Sequence, residues 1–240
     1  LQNGKRGAYS KMTDFTIYNF TSLKSTNDTA KNYTDNFSVI VAGEQTKGKG
    51  RRGKTWISPK GGLYFSVVIT DPDLLNLGIY SLAAALSLCE ALPAEANAKI
   101  KWPNDILIGG KKVSGILLET TTDPSRLIIG IGINISSFPK ESLLSYAATS
   151  LKNENITITK DELLASLLDR LANNLTLPLQ QIITLWQKNA IGIGKDIKVT
   201  LAKGTLFGVF KGLDAKGNLI LSTKNKEKPD KIISCGEIYF

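Results

Sequence analysis

The sequence predicts an α+β protein: a sheet-rich unit carrying helices, followed by a small β-barrel. Three observations predict it. Between Phe15 and Ile135, strand-like runs recur around one long apolar helix. Between Thr159 and Ala190 the apolar spacing becomes helical. Beyond Gly192-Ile-Gly194, which reads as a linker, short strands alternate with Gly, Asp and Lys turns.

Phe15–Phe20 alternates apolar and polar residues, as a half-buried strand does. Thr26-Asn27-Asp28 reads as a helix entry, because small oxygen-bearing side chains cap orphan N–H groups. Phe37–Gly43 is a β-branched strand, and Leu63–Thr70 is another. Leu77–Leu92 is apolar on most faces, which predicts a buried helix. Short strands follow near Lys99–Trp102 and Ile106–Ile108, with Gly109-Gly110 as a hairpin turn. Val113–Glu119 and Leu127–Ile135 read as central strands. Thr159-Lys-Asp-Glu162 is a capping box that opens a helix with a stripe of leucines from Leu163 to Leu175. Pro178 opens the next helix, which ends near Ala190. The terminal strands are Ile197–Leu201, Thr205–Leu213, Leu219–Ser222, Lys231–Ser234 and Glu237–Phe240, with Asp214–Gly217 as a hairpin and Lys224–Lys231 as a charged loop tip. The division expected is 12–191 and 192–240, with Met12 as the native start and 1–11 an expression remnant.

The chain of 240 residues is 42% apolar and 21% charged, the balance of a soluble globular protein. Apolar runs such as Leu82–Leu88 are too short to span a bilayer, and no secretory signal is evident, so no membrane is expected. Two cysteines, Cys89 and Cys235, make no disulfide framework; a reducing cytoplasm and two small core thiols are expected. Histidine is absent, which excludes Ser-His and Cys-His triads and histidine metal sites. Any chemistry must use carboxylates, lysines, arginines and backbone dipoles.

The net charge of +9 is clustered: Gln45–Lys60 holds six cations (Lys47, Lys49, Arg51, Arg52, Lys54, Lys60) and no anion. Within Gly43–Trp56, glycines at 48, 50 and 53 let backbone N–H groups turn toward an anion, and the cations supply charge for phosphate. The spacing is not that of a Walker A loop. Three glycines and six like charges leave little to pack, so the loop is expected to order on a ligand. On charge alone, a solvated basic loop or a nucleic-acid patch fits as well. Lys101-Trp-Pro-Asn-Asp105 is, by itself, equally a turn with Trp102 in the core. Lys111-Lys-Val-Ser-Gly-Ile-Leu-Leu-Glu119 feeds a lysine into a strand, where Gly115 permits close approach. Gly130-Ile-Gly-Ile-Asn134 is a strand with glycine gaps.

Taken together, Ser25-Thr26-Asn27, GKGRRGKTW, KWPNDIL, GKKVSGILLE, IIGIGINI and Gly236-Glu237-Ile238 resemble the motif set of biotin protein ligases in order and spacing. The resemblance covers nearly the whole chain after Met12. It implies a mixed sheet like the catalytic domain of class II aminoacyl-tRNA synthetases, plus an SH3-like barrel. It implies biotin contacts from Ser25, Thr26, Asn27, Gln45, Lys49, Gly50, Arg51, Lys112 and Gly115. Among these, Ser25, Thr26 and Gln45 would hydrogen-bond the ureido ring. Arg51 would grip the activated carboxyl and phosphate, and Lys112 would lie at the biotin carboxylate and α-phosphate; these two are the catalytic pair. Arg52, Trp56, Lys101 and Asn134 would join Arg51 around the adenylate, with Trp56 and Asn134 on adenine. Many members carry arginine where this chain has Lys49, so bidentate contact is lost there.

The implied substrates are biotin and ATP with Mg2+, for which no protein ligand is assigned. The implied partner is a biotin carboxyl carrier protein. A homodimer is compatible with this reading. Fewer than fifteen residues separate Met12 from Ser25, too few for the DNA-binding domain some members carry, so no DNA partner is expected. A lipoate or octanoate transferase of the same superfamily is the alternative, and a nucleic-acid-binding protein the alternative of another class.

Overall fold

Seven strands form the first sheet: β1 (Thr16–Phe20), β2 (Ser38–Ala42), β3 (Leu63–Thr70), β4 (Lys99–Lys101), β5 (Asp105–Ile108), β6 (Lys111–Thr122) and β7 (Ser125–Ile133). They lie in the order β1-β2-β3-β7-β6-β5-β4. The structure, a computed structural model, describes residues 14–122, 125–139, 146–223 and 229–240. The start expected at Met12 and residues 224–228 of the charged tip lie outside these. Strands β1 and β2 pair in parallel and every other neighbour is antiparallel, so the sheet is mixed.

Alternation decides what each face carries. Val39, Val67 and Ile129 join the main core, whereas Ile40, Val68 and Ile128 join a small cluster with Ala30. Ala30 belongs to α1 (Thr26–Ala30), which therefore covers the second face. The first face is covered by α2 (Leu77–Ala91), which packs on α3 (Lys160–Leu175) and α4 (Leu179–Asn189). The residues of α2 from Leu82 to Leu88 are buried. With the turn before it, the stretch Leu74–Ala91 has 18 residues at mean hydropathy 1.5 and is long and apolar enough to cross a bilayer by composition, longer than the runs the sequence reading counts. The structure spends its buried part on α3, α4 and the sheet.

Both halves of the capping box at Thr159 and Glu162 form. Pro178 sits at the N-cap of α4, one position before the first helical residue. The cap of α1 is Ser25, whose Oγ accepts from the Asp28 amide at 3.3 Å.

The second sheet is antiparallel throughout. Its strands β8 (Asp196–Leu201), β9 (Gly204–Leu213), β10 (Leu219–Ser222), β11 (Lys231–Ile233) and β12 (Glu237–Tyr239) run in the order β11-β10-β9-β8-β12. This is the small SH3-like unit, built on Val199, Phe210, Leu219, Leu221 and Ile238. At its Asp214–Gly217 turn, the Asp214 carboxylate accepts from the amides of Lys216 and Asn218. The Gly192–Gly194 segment is more than a tether. The Gly194 amide donates to Phe210 O at 2.7 Å, and Gln187 of α4 accepts from the Leu213 amide at 2.8 Å. One thiol departs from expectation. Cys89 lies half-buried in α2, but Cys235 is exposed, because it stands in the turn before β12 rather than on an inward strand position.

Candidate active site

The site lies on the face of the sheet that α1 covers. Gly115 of β6 faces Gly132 of β7, and Leu117 faces Gly130. These glycines leave a floor against which other side chains lie directly. A Cβ on Gly130 would stand 2.0 Å from Asn27 Oδ1, and one on Gly132 would stand 2.3 Å from Trp56 Nε1. Either is far inside van der Waals contact, so the glycine gaps answer to what sits above them.

At one end, the start of α1 meets Gln45. Gln45 Oε1 accepts from the Thr26 amide at 2.8 Å and from Thr26 Oγ1 at 3.2 Å. Its Nε2 donates to Ser58 Oγ at 2.9 Å, which fixes the direction of the amide. Ser66 Oγ donates to Asn27 Oδ1 at 2.6 Å and stands 2.8 Å from Thr26 Oγ1. Asn27 Nδ2 donates to Glu119 Oε2 at 2.8 Å, and Lys31 Nζ binds Glu119 Oε1 at 2.9 Å. Burial pushes the Glu119 carboxyl up, but the hydrogen bonds from Lys31 and Asn27 outweigh it and hold the group below the ordinary carboxylate range.

The basic loop closes one wall. Its tip is a tight turn in which the Gly50 amide donates to Lys54 O at 2.7 Å and Arg52 and Gly53 take positive φ. One side is tied to α1, with Lys49 Nζ 2.5 Å from Asp28 Oδ1. The other is tied to β12, with Lys54 Nζ 2.6 Å from Glu237 Oε1. Arg51 points inward and donates to Asn104 Oδ1 at 3.1 Å, while Asn104 Nδ2 holds Ile116 O at 2.6 Å. Burial, with the nearby charge of Arg52, draws the Arg51 guanidinium down from its ordinary value, yet a guanidinium stays charged in any such setting.

The KWPND segment supplies the opposite wall. Trp102 is buried, and its peptide bond to Pro103 is cis. Lys112 Nζ lies 2.6 Å from Asp105 Oδ1, 5.2 Å from the Trp56 ring centre and 5.0 Å from that of Tyr146. Lys101 is held 5.2 Å from the Tyr239 ring, and burial lowers its pKa. Tyr239 and Glu237 come from the second sheet, so both parts of the chain build the site.

The cavity these residues enclose measures about 260 Å³. Ser25, Thr26, Asn27, Gln45, Lys49, Gly50, Arg51, Trp56, Lys101, Lys112 and Gly115 all line it. Two expected residues do not. Arg52 is exposed on the loop tip. Asn134 is buried just past the end of β7, outside the cavity lining, donating to Thr149 O at 2.9 Å; its Oδ1 has no partner among the described residues. The sequence reading left out Asn104, Asp105 and Glu237, although each stands inside a quoted motif, and Tyr146, which no motif marks. Glu119 closes its motif and buttresses the wall from outside the cavity. Among the described residues, no three His, Cys, Asp or Glu side chains gather where a metal ion could be held. The arrangement can bind a small molecule rich in hydrogen-bonding groups at the Thr26–Gln45 end, and anionic groups at the Arg51–Lys112 end.

Residues 19–134 match the model of the biotin/lipoate A/B protein ligase family, and residues 192–240 match the biotin protein ligase C-terminal domain. The chain is 34% identical over 214 residues to the bifunctional ligase/repressor BirA of Bacillus subtilis; the match covers 83% of this chain and 66% of that protein, so the chain spans just under two thirds of that relative's length. It is 33% identical over 218 residues to the biotin--[acetyl-CoA-carboxylase] ligase of Paracoccus denitrificans, covering 84% of this chain and 89% of that one. The biotin protein ligase from Aquifex aeolicus, solved in complex with biotin and ATP, superposes with a TM-score of 0.82 at 30% identity, covering 93% of this chain and 97% of that one. In sequence, in fold and in the motifs that wall this cavity, the chain belongs to the biotin protein ligase family.

Proposed function

We propose that this protein activates biotin with ATP and transfers it to a lysine of a biotin carboxyl carrier protein. The observation that carries the reading is the polarity of the cavity. Neutral hydrogen-bonding groups (Thr26, Asn27, Gln45) stand at one end, and Arg51 and Lys112 at the other, as a molecule with a polar ring and a carboxylate tail requires. A biotin carboxylate oxygen attacks the α-phosphorus of ATP, the bond to pyrophosphate breaks, and biotinyl-5'-AMP forms. The carrier lysine, as the free amine, then attacks the carbonyl carbon and AMP leaves.

The chain's own contribution is positioning and cationic stabilisation. Lys112, held by Asp105, faces the reacting oxygens; Arg51, braced by Asn104, faces the phosphate; Trp56 gives a flat surface for the adenylate. Magnesium enters with ATP, on its phosphates. The described residues offer it no carboxylate cage, and Asp105 is already engaged by Lys112. We read 12–191 as the catalytic unit and 192–240 as the part that closes it through Glu237 and Tyr239. A reducing compartment, the cytoplasm, suits two free thiols. Acyl transfer through a cysteine is disfavoured, since neither Cys89 nor Cys235 lines the cavity.

The test is biotin-dependent exchange of labelled pyrophosphate into ATP. Exchange that requires biotin supports the first step as written. No exchange by folded protein, or exchange driven by lipoate and not biotin, overturns it.

A further inference from the structure

Asn27 has one orientation in this structure, and the reason lies outside the cavity. Its Oδ1 accepts from Ser66 Oγ at 2.6 Å, and its Nδ2 donates to Glu119 Oε2 at 2.8 Å. Ser66 is fully buried on β3, and Glu119 stands on β6, so the amide is gripped from two strands. Glu119 as a carboxylate only accepts, and it therefore dictates that the nitrogen, not the oxygen, of Asn27 turns toward β6. Beneath the same amide lies Gly130, where a Cβ would stand 2.0 Å from Asn27 Oδ1. The floor is thus cut to let this one side chain lie on it. The Nδ2 group has two hydrogens and Glu119 takes one, which leaves Asn27, a residue lining the cavity, with a second hydrogen to donate.

Glu119 has a second engagement. Lys31 Nζ binds its Oε1 at 2.9 Å and lies 3.4 Å from Asp28 Oδ1, on which Lys49 of the basic loop also rests. Two roles are therefore separable for one carboxylate: an acceptor that orients Asn27, and a charge that anchors Lys31.

We infer that Glu119 is a positioning residue for biotin, acting through Asn27 by fixing which amide atom faces the cavity. The inference rests on the proposed activity. Without Glu119, the Asn27 amide flips or rotates, and an oxygen meets a ligand acceptor where an N–H should be. The loss falls on binding, because the ring is far from the reacting carboxylate and the contact is the same before and at the transition state.

Three variants test it: Glu119→Ala, Glu119→Gln and Lys31→Met. Biotin affinity is read by calorimetry, and adenylate formation is followed against biotin and against ATP. Glu119→Ala is expected to weaken biotin binding and raise its KM by about tenfold or more, leaving the ATP KM and the kcat at saturating biotin within about twofold. Glu119→Gln, which keeps an acceptor for Asn27 but not the charge, restores most of the affinity, and Lys31→Met leaves it near wild type. Wild-type biotin affinity in a folded Glu119→Ala protein overturns the inference. So does a Glu119→Gln protein as weak as Glu119→Ala with Lys31→Met matching both, since the charge network would then be what matters. If the wild-type protein binds no biotin, the proposed activity fails instead, and the two failures are told apart by that control.

Discussion

Replacing Lys112 by alanine separates the fold from the chemistry. The backbone at 112 is fixed independently of the side chain: its amide donates to Ala147 O and its carbonyl accepts from the Thr149 amide, both at 2.9 Å. The side chain's main engagement is the pair with Asp105, at 2.6 Å, in which the two side chains are 16% and 22% exposed. Losing a largely buried pair and leaving Asp105 without its partner lies between the surface and fully buried limits, about 1–3 kcal/mol, which lowers Tm by about 2–10 °C for a chain this long. The chemical cost is larger. A cation about 4 Å from a phosphate or carboxylate oxygen contributes about 4 kcal/mol at the effective dielectric of such a site. A well-placed electrostatic group removed from an active site costs about 3–4 kcal/mol. Adenylate formation should therefore fall about 10²- to 10³-fold. The assay is single-turnover production of biotinyl-5'-AMP by quantitative mass spectrometry, with melting recorded on the same sample. A mutant that still melts cooperatively, within about 10 °C of wild type, and forms adenylate within about threefold of its rate would refute the role assigned to Lys112.

Arg51→Gly should leave some adenylate synthesis but release the product early, because the inward guanidinium braced on Asn104 ties the loop to the KWPND wall; biotin on an unrelated lysine-rich protein would rise, and wild-type labelling with adenylate still formed would remove Arg51 from retention. Trp56→Ala should raise the KM for ATP more than it lowers kcat, since a flat ring over the Gly115–Gly132 floor serves binding; a pure kcat effect at saturating ATP would contradict this. Residues 47–54 should gain hydrogen-exchange protection when biotin and ATP bind, and equal protection in both states would mean that the Lys49–Asp28 and Lys54–Glu237 pairs already hold the loop. Cys235, exposed, should be alkylated near neutral pH in the native protein while Cys89 is spared, because burial pushes the Cys89 thiol up to about 12; equal labelling would place α2 nearer solvent than it is here.

What the sequence made legible was whatever depends on neighbours along the chain. Leu63–Thr70 is found with the bounds expected, because a β-branched run ending at Asp71 has no competing period. Thr159 and Glu162 cap α3 as their spacing demands. The cavity wall was legible too, because its residues come from short motifs: eleven of the thirteen expected positions meet there, and Arg52 and Asn134 do not. The rest depends on pairs far apart in the chain. Asn27 and Glu119 are 92 residues apart, and Lys54 and Glu237 are 183 apart; no local pattern announces either pair. Asn104 and Asp105 lay inside a motif, but only the fold shows that Asn104 braces Arg51, 53 residues away, and that the β5–β6 hairpin brings Asp105 to Lys112. Cys235 misled because cysteine is usually inside, and the turn that exposes it is set by the closing of β12 onto β8.

The central claim is that biotin passes to the carrier through an adenylate held in the cavity without a covalent bond to the ligase. Its most direct test is intact mass spectrometry of the protein incubated with biotin, ATP and magnesium, before and after adding a biotin carboxyl carrier domain. The account predicts biotinyl-5'-AMP and an unmodified active site before addition; afterwards the adenylate is consumed, AMP appears and one carrier lysine gains a biotinyl group. A biotinylated cysteine or lysine in the cavity that is discharged by the carrier, or carrier labelling with no adenylate formed, would contradict it.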